Sequence, residues 1–126
     1  MTLNSADDAF VARLRDLLPE AAFLADPAGF LVEPRARWVG QGVVVSPACV
    51  EEVSGLMAAC HEAQVPIVPY SGGTGLVGGQ VIETGPVPVV LSLARMNKIR
   101  AVWADENVIE VDAGVILKTV QDAAAE

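Results

Sequence analysis

"VPIVPYSGGTGLVGGQ", residues 65–80, contains a literal G-x-G-x-x-G at Gly73, Thr74, Gly75, Leu76, Val77 and Gly78. In a doubly wound dinucleotide-binding fold these glycines follow the first strand and open a helix whose N-terminus faces a pyrophosphate. An acid for the ribose stands about 20 residues further on. The surroundings here differ. The helical pattern lies upstream of the glycines, and Gly85, Pro86 and Pro88 follow Gly79 too closely to leave room for a helix. Near residue 95, where the acid is expected, stand Ser92, Arg95 and Lys98. No Lys follows the glycines in the register of a Walker A loop. Both common phosphate-binding fingerprints are therefore disfavoured.

Five glycines, Gly72, Gly73, Gly75, Gly78 and Gly79, with Ser71 and Thr74 among them, still follow directly on the apolar run 65–70. Glycine permits positive φ and close backbone approach, and successive N–H groups curled into a nest hold an anion without any lysine. A merely flexible surface loop is the alternative. It fits less well with the constrained "VPIVPY" before it and with Leu76 and Val77 in its middle.

Working outward, residues 47–64 carry Val53, Leu56, Met57 and Cys60 on one helical face, with Glu51 and Glu52 in the first turn where the helix dipole favours acids. Cys49 stands where Ser or Thr would complete a capping box, so the cap is weak. "VVVS" at 43–46 reads as a short strand covered on both faces, and "VPIVPY" and "VPVVLSL" (87–93) as two more. Residues 99–114 hold two alternating runs around a turn at 104–107, a hairpin. Residues 5–18 form an amphipathic helix with Ser5 and Asp8 as a capping pair, Phe10, Leu14 and Leu17 on one stripe, and Pro19 as terminator. From Val115 onward Ile116, Val120 and Ala123 or Ala124 recur at helical spacing, with no terminator before Glu126. That ending, with a mean hydropathy of +0.44, leads us to expect a piece of a larger protein.

Composition fits a packed domain: 52% hydrophobic and 19% charged residues in 126. A formal charge of −8 argues against nucleic acid or an anionic membrane as partner, so any bound anion must be held locally. Cys49 and Cys60 match neither a zinc spacing nor a secreted disulfide framework, and the simple expectation is a reducing cytoplasm. The acidic start lacks the basic region of a signal peptide, and no apolar run approaches the roughly 18 residues of a membrane span.

The series "VVVSPACVEEVSGLMAACHEAQVPIVPYSGGTGLVGG", "VVLSLARMNKI" and "VIEVDAGVILKTV" resembles the N-terminal part of the FAD-binding domain of the vanillyl-alcohol oxidase / p-cresol methylhydroxylase superfamily. Within it, the likeness is to the D-lactate, glycolate and D-2-hydroxyglutarate dehydrogenase group. It covers residues 40–126; residues 1–39, a helix and an irregular lead-in, add little to it.

The resemblance implies an α/β (α+β) fold: a small subdomain of parallel strands and helices, plus the first hairpin of a larger antiparallel subdomain. It also implies that the nest of Ser71, Gly72, Gly73, Thr74, Gly75, Leu76, Gly78 and Gly79 grips the FAD pyrophosphate, with the cofactor-binding Pro69 and Tyr70 leading into it, and that Gly114 lies close to the cofactor. Members with covalent flavin often carry His where Thr74 stands, so non-covalent FAD is expected. The implied reaction removes hydride from the hydroxyl-bearing carbon of a small D-2-hydroxy acid to the flavin, with electrons passing to a separate acceptor. The family's catalytic and metal-binding residues lie beyond position 126, so these residues alone are expected to be inactive and prone to self-association. The alternative is a non-catalytic nucleotide- or anion-binding module that reuses the nest.

The remaining candidates read as structural. His61 is expected to be solvated or hydrogen-bonded, Asp105 and Glu106 to be turn residues, and Arg35 and Arg37 to serve solubility. Trp38 and Trp103 are expected at a core or interface.

Overall fold

A computed structural model describes residues 2–125. The β-branched runs pair as a parallel sheet of β1 (Val43–Val45), β2 (Ile67–Tyr70) and β3 (Val89–Ser92), in the order β1-β3-β2. β3 is central and buried along its whole length, with Val90 opposite Val44 on one side and Val68 on the other. Helix α2 (Val50–Ala63) makes the crossover from β1 to β2. No helix separates β2 from β3; residues 71–88 make that connection as loop, as the glycine and proline spacing predicts.

The N-terminal helix α1 (Asp8–Leu17) differs from expectation at its cap. Asp7, not Ser5, accepts a hydrogen bond from the Phe10 N–H at 2.8 Å. Ser5 Oγ instead accepts from the Val87 N–H at 3.0 Å and ties the chain start to the approach of β3. Asp at the N-cap also places its charge at the positive end of the helix. The buried stripe is Phe10, Leu14 and Leu18, spaced four apart, whereas Leu17 is 49% exposed and lies over Gly55. On α2 the buried face is Leu56, Ala59 and Cys60, with Val53 partly covered and Met57 exposed. The small Ala59 and Cys60 let the two helices meet there.

Cys49 caps α2 without a side-chain hydrogen bond, as expected; the Glu52 carboxylate reaches back to the Ala48 N–H at 2.7 Å. Residues before 40 contribute Ala6, Phe10, Leu14, Leu18 and Ala22 to the same core as Val45, Leu56 and Val89.

The hairpin forms as read, with β4 (Ile99–Trp103) antiparallel to β5 (Val108–Val111) and a bulge between Ile99 and Ala101. A single 3-10 turn at Ala104–Glu106 closes it, and Asn107 takes the left-handed conformation at φ 54°. Asp105 and Glu106 are exposed in that turn, and Trp103 is exposed rather than buried. Helix α3 (Leu117–Ala125) follows and buries none of its residues.

Candidate functional site

The carboxyl ends of β2 and β3 feed a cleft of about 790 Å³, the usual place for a ligand in an open parallel sheet. Twelve residues line it: Gly29, Phe30, Tyr70, Ser71, Gly72, Thr74, Ala94, Asn97, Gly114, Val115, Ile116 and Leu117. None carries a charge at neutral pH, so attraction for an anion must come from oriented dipoles.

Segments distant in the chain are stitched together here. Ser71 Oγ donates to the Ala113 carbonyl at 2.7 Å, and the Gly114 N–H donates to the Met96 carbonyl at 2.9 Å. A Cβ on Gly114 would stand 1.8 Å from the Leu93 carbonyl oxygen, a backbone atom that cannot swing away. Gly114 therefore lets residues 112–117 lie directly on the end of β3. Just before it, Asp112 accepts from Arg100 Nε at 2.8 Å and from the Lys98 N–H at 3.1 Å. The Arg100 guanidinium holds the Asp112 carboxyl below its ordinary range.

At the start of the glycine loop, Tyr70 meets Phe30 edge-on with ring centroids 5.2 Å apart, and its hydroxyl donates to the Gly29 carbonyl at 3.3 Å. Gly73 rests on this ring at φ 66°; a Cβ there would lie 2.1 Å from the Tyr70 hydroxyl oxygen. The loop's polarity is sorted. Gln80 Nε2 donates to the carbonyls of Gly73 (3.1 Å) and Gly75 (2.8 Å), and Arg35 Nη2 donates to that of Leu76. Among the described residues, no backbone N–H of 72–79 donates to a protein acceptor. The carbonyls of Gly73, Gly75, Leu76 and Gly78 are engaged, while the N–H groups of 72–79 make no bond within the protein and remain available to an anion.

Of the residues singled out from the sequence, Tyr70, Ser71, Gly72, Thr74 and Gly114 line the cleft. Gly73 lies beneath, on the Tyr70 ring, and Gly75 beside Gln80. Pro69 is exposed on β2, and Leu76, Gly78 and Gly79 belong to the far half of the loop. There Gly78, at φ 75°, packs on Trp38 and borders a separate 410 Å³ hollow with Trp38, Val77 and Ile82. Phe30 and Asn97 line the cleft as well, without a motif to mark them. Asn97 stands inside the quoted "ARMNKI" and donates to the Ala94 carbonyl at 3.1 Å. Phe30, in the irregular lead-in, carries no periodic signal. Arg35, read as a solubility residue, holds the loop instead. His61 is exposed, and among the described residues no cluster of His, Cys, Asp or Glu could hold a metal. No described helix is long and apolar enough to cross a membrane.

A parallel sheet whose strand ends carry a glycine nest, followed by an antiparallel hairpin, defines a nucleotide-cofactor-binding domain. The sequence profile of the FAD binding domain family matches residues 42–126, and the chain belongs to that family; its cofactor is FAD. It is 41% identical to a D-lactate dehydrogenase of Archaeoglobus fulgidus over 84% of this chain and 23% of that protein. It is 32% identical to a D-2-hydroxyglutarate dehydrogenase of Xanthomonas citri over 94% of this chain and 26% of that protein. The chain thus spans about a quarter of these relatives' length. Among solved structures, alkyldihydroxyacetonephosphate synthase superposes with a TM-score of 0.80 at 19% identity, covering 99% of this chain and 26% of that one. p-Cresol methylhydroxylase gives 0.64 at 21% identity, with 91% of this chain and 24% of that one covered. At such identities these two speak for the fold.

Proposed function

We propose that this chain is the pyrophosphate-gripping portion of a flavin-dependent oxidoreductase acting on a small D-2-hydroxy acid of the lactate, glycolate or 2-hydroxyglutarate type. The observation that carries the reading is that the N–H groups of 72–79 make no bond within the protein, with Gly72 and Thr74 of that run lining an uncharged cleft. The backbone of Gly72 and Thr74 would hold the diphosphate, and Gly114 would bring residues 112–117 close to the cofactor. Ser71 spends its proton on Ala113, so it sets the loop in place while its oxygen remains an acceptor. The apolar Val115, Ile116 and Leu117 offer a wall suited to an aromatic ring system. When bound, FAD supplies a two-electron acceptor for hydride from the hydroxyl-bearing carbon. Thr74 cannot attach a flavin, which supports non-covalent binding.

The relatives' names support the substrate class, and a separate electron acceptor belongs to the same reading. Two free cysteines, one of them buried, suit a reducing cytoplasm. The domain reading is a lead-in over 1–39 and a partial FAD domain over 40–126; the core residues contributed by the lead-in support treating both as one folding unit.

The visible absorption spectrum of the purified full-length protein tests the cofactor, and a protein without flavin bands would refute this assignment. One observation favours a non-catalytic nucleotide- or anion-binding module instead: no carboxylate, histidine, lysine or cysteine lines the cleft. Anaerobic addition of D-lactate or D-2-hydroxyglutarate separates the two readings, because only an oxidoreductase bleaches its flavin.

A further inference from the structure

Glu33 is an anomaly for a residue in an irregular lead-in. Its side chain is fully buried, and an isolated carboxylate is costly to bury. One oxygen accepts from the Arg37 N–H at 2.6 Å. The other has no hydrogen-bond partner and stands 3.5 Å from Arg35 Nε. Around it the chain turns back on itself: the Glu33 N–H donates to the Trp38 carbonyl, the Ala36 N–H to the Glu33 carbonyl, and Val32 bridges to Val39. The carboxylate sits inside that turn and faces a single cation. Burial works to raise its pKa, but the Arg37 N–H and the neighbouring Arg35 outweigh it and keep it below the ordinary range.

Arg35 works in the other direction too. Its Nη2 donates to the Leu76 carbonyl, and its guanidinium lies 5.8 Å from the centre of the Trp38 ring, on which Gly78 packs. Neither Glu33 nor Arg35 lines the cleft.

We propose that Arg35, locked by the buried Glu33 carboxylate, is a positioning residue that clamps the glycine loop from behind and so sets FAD affinity without touching the cofactor. The proposal rests on the reading of the loop as the pyrophosphate nest. Holding the Leu76 carbonyl fixes the loop without occupying any of its N–H groups, as Gln80 does at Gly73 and Gly75. Arginine suits the task because its planar fork bridges two acceptors at once, which a lysine ammonium on a flexible stem does not reproduce.

The test uses the full-length protein and its apoprotein, with Arg35→Gln, Glu33→Gln and the double variant. FAD titration, well below each apoprotein's Tm, should show about tenfold weaker binding for each single variant. The double variant should be no weaker than the worse single one, because the two residues act as one unit. Limited chymotrypsin digestion of the apoprotein should cleave after Leu76 faster in both. Arg35→Gln binding FAD as tightly as wild type would overturn the clamp. So would weakening confined to Arg35→Gln, which would mean direct contact with phosphate, or additive losses. A lowered apoprotein Tm with unchanged affinity would reduce the pair to a purely structural role, also against the proposal. If Glu33→Gln does not fold, Arg35→Gln decides by affinity and digestion. A wild-type protein that takes up no FAD would sink the functional reading, and digestion at Leu76 would still judge the clamp.

Discussion

Gly73 and Gly75 look equivalent in "GGTGLVGG", and the spacing predicts that each excludes a side chain so that a diphosphate can approach. The structure separates them. Gly73 is left-handed and rests on the Tyr70 ring, whereas a Cβ on Gly75 would meet only the end of the Gln80 side chain at 3.3 Å. A non-glycine left-handed residue costs about 1–2 kcal/mol before any overlap, and each 1.4 kcal/mol is about tenfold in affinity. Gly73→Ala in the full-length protein should therefore weaken FAD binding about tenfold or more, because Tyr70 must move, while Gly75→Ala should change it by less than about threefold. Fluorescence titration of the two apoproteins checks the order, and equal losses would contradict it. The need for glycine was legible in the sequence; which glycine matters depends on Tyr70 and Phe30, brought together only by the fold. Thr74 carries a second expectation at this scale. Since it cannot bond covalently to a flavin, acid precipitation of the holoprotein should release all colour into the supernatant, and a yellow pellet would speak against it.

Among the elements, α1 shows what periodicity can and cannot resolve. The apolar spacing announces an amphipathic helix, yet Leu17 and Leu18 are adjacent and only packing against α2 decides which is buried. Leu14 is fully buried and Leu17 is 49% exposed over Gly55. Leu14→Ala should cost about 2–5 kcal/mol and Leu17→Ala about 1 kcal/mol or less, read from denaturant midpoints. The cap depends on the fold in the same way, because Ser5 and Asp7 are both good caps and Ser5 is drawn off by the Val87 N–H, a partner 82 positions away. In α2 the buried Cys60 thiol is pushed up to about 11 by desolvation, so peptide mapping should show no alkylation there at mildly alkaline pH until the core unfolds. The base of the hairpin carries an ion pair between Arg100 and Asp112. Asp112 has its pKa lowered on folding by Arg100, so its stabilising effect is fully present above the ordinary value of about 3.9 and is lost as pH falls through the lowered one. Asp112→Asn should lower the Tm at neutral pH, and the gap from wild type should close below about pH 4. A gap that persists in acid would remove the ion pair as its cause.

At the scale of the whole molecule, the order of elements and the loop between β2 and β3 could be read from β-branched runs, helical spacing and proline placement, all local signals. The cleft could be only half read, because its walls come from Phe30 in the lead-in, the strand ends, and Gly114 with its neighbours, and no local pattern reports their meeting. The surface left by this arrangement bears on how the 126 residues behave by themselves. Val102, Trp103 and Val108 on the hairpin are nearly half exposed, and Ile116 and Leu117 beside it are 71% and 68% exposed. Beyond β4 and β5 the second sheet has no further strand among the described residues, so both hairpin strands present an unpaired edge. Apolar surface joined to an open edge recruits other chains. The same exposure weakens ligand binding, since a pocket normally buries about 70–90% of its ligand and this cleft is lined by the exposed Ile116 and Leu117. Losing several kcal/mol of such burial corresponds to about a thousandfold in affinity. The isolated 126-residue chain is therefore expected to bind FAD about a thousandfold more weakly than the full-length protein and to associate with rising concentration. Sedimentation velocity over a concentration series, paired with FAD titration, measures both. A concentration-independent monomer that binds FAD as tightly as the full-length protein would show that the nest and the Gly114 segment suffice without further enclosure.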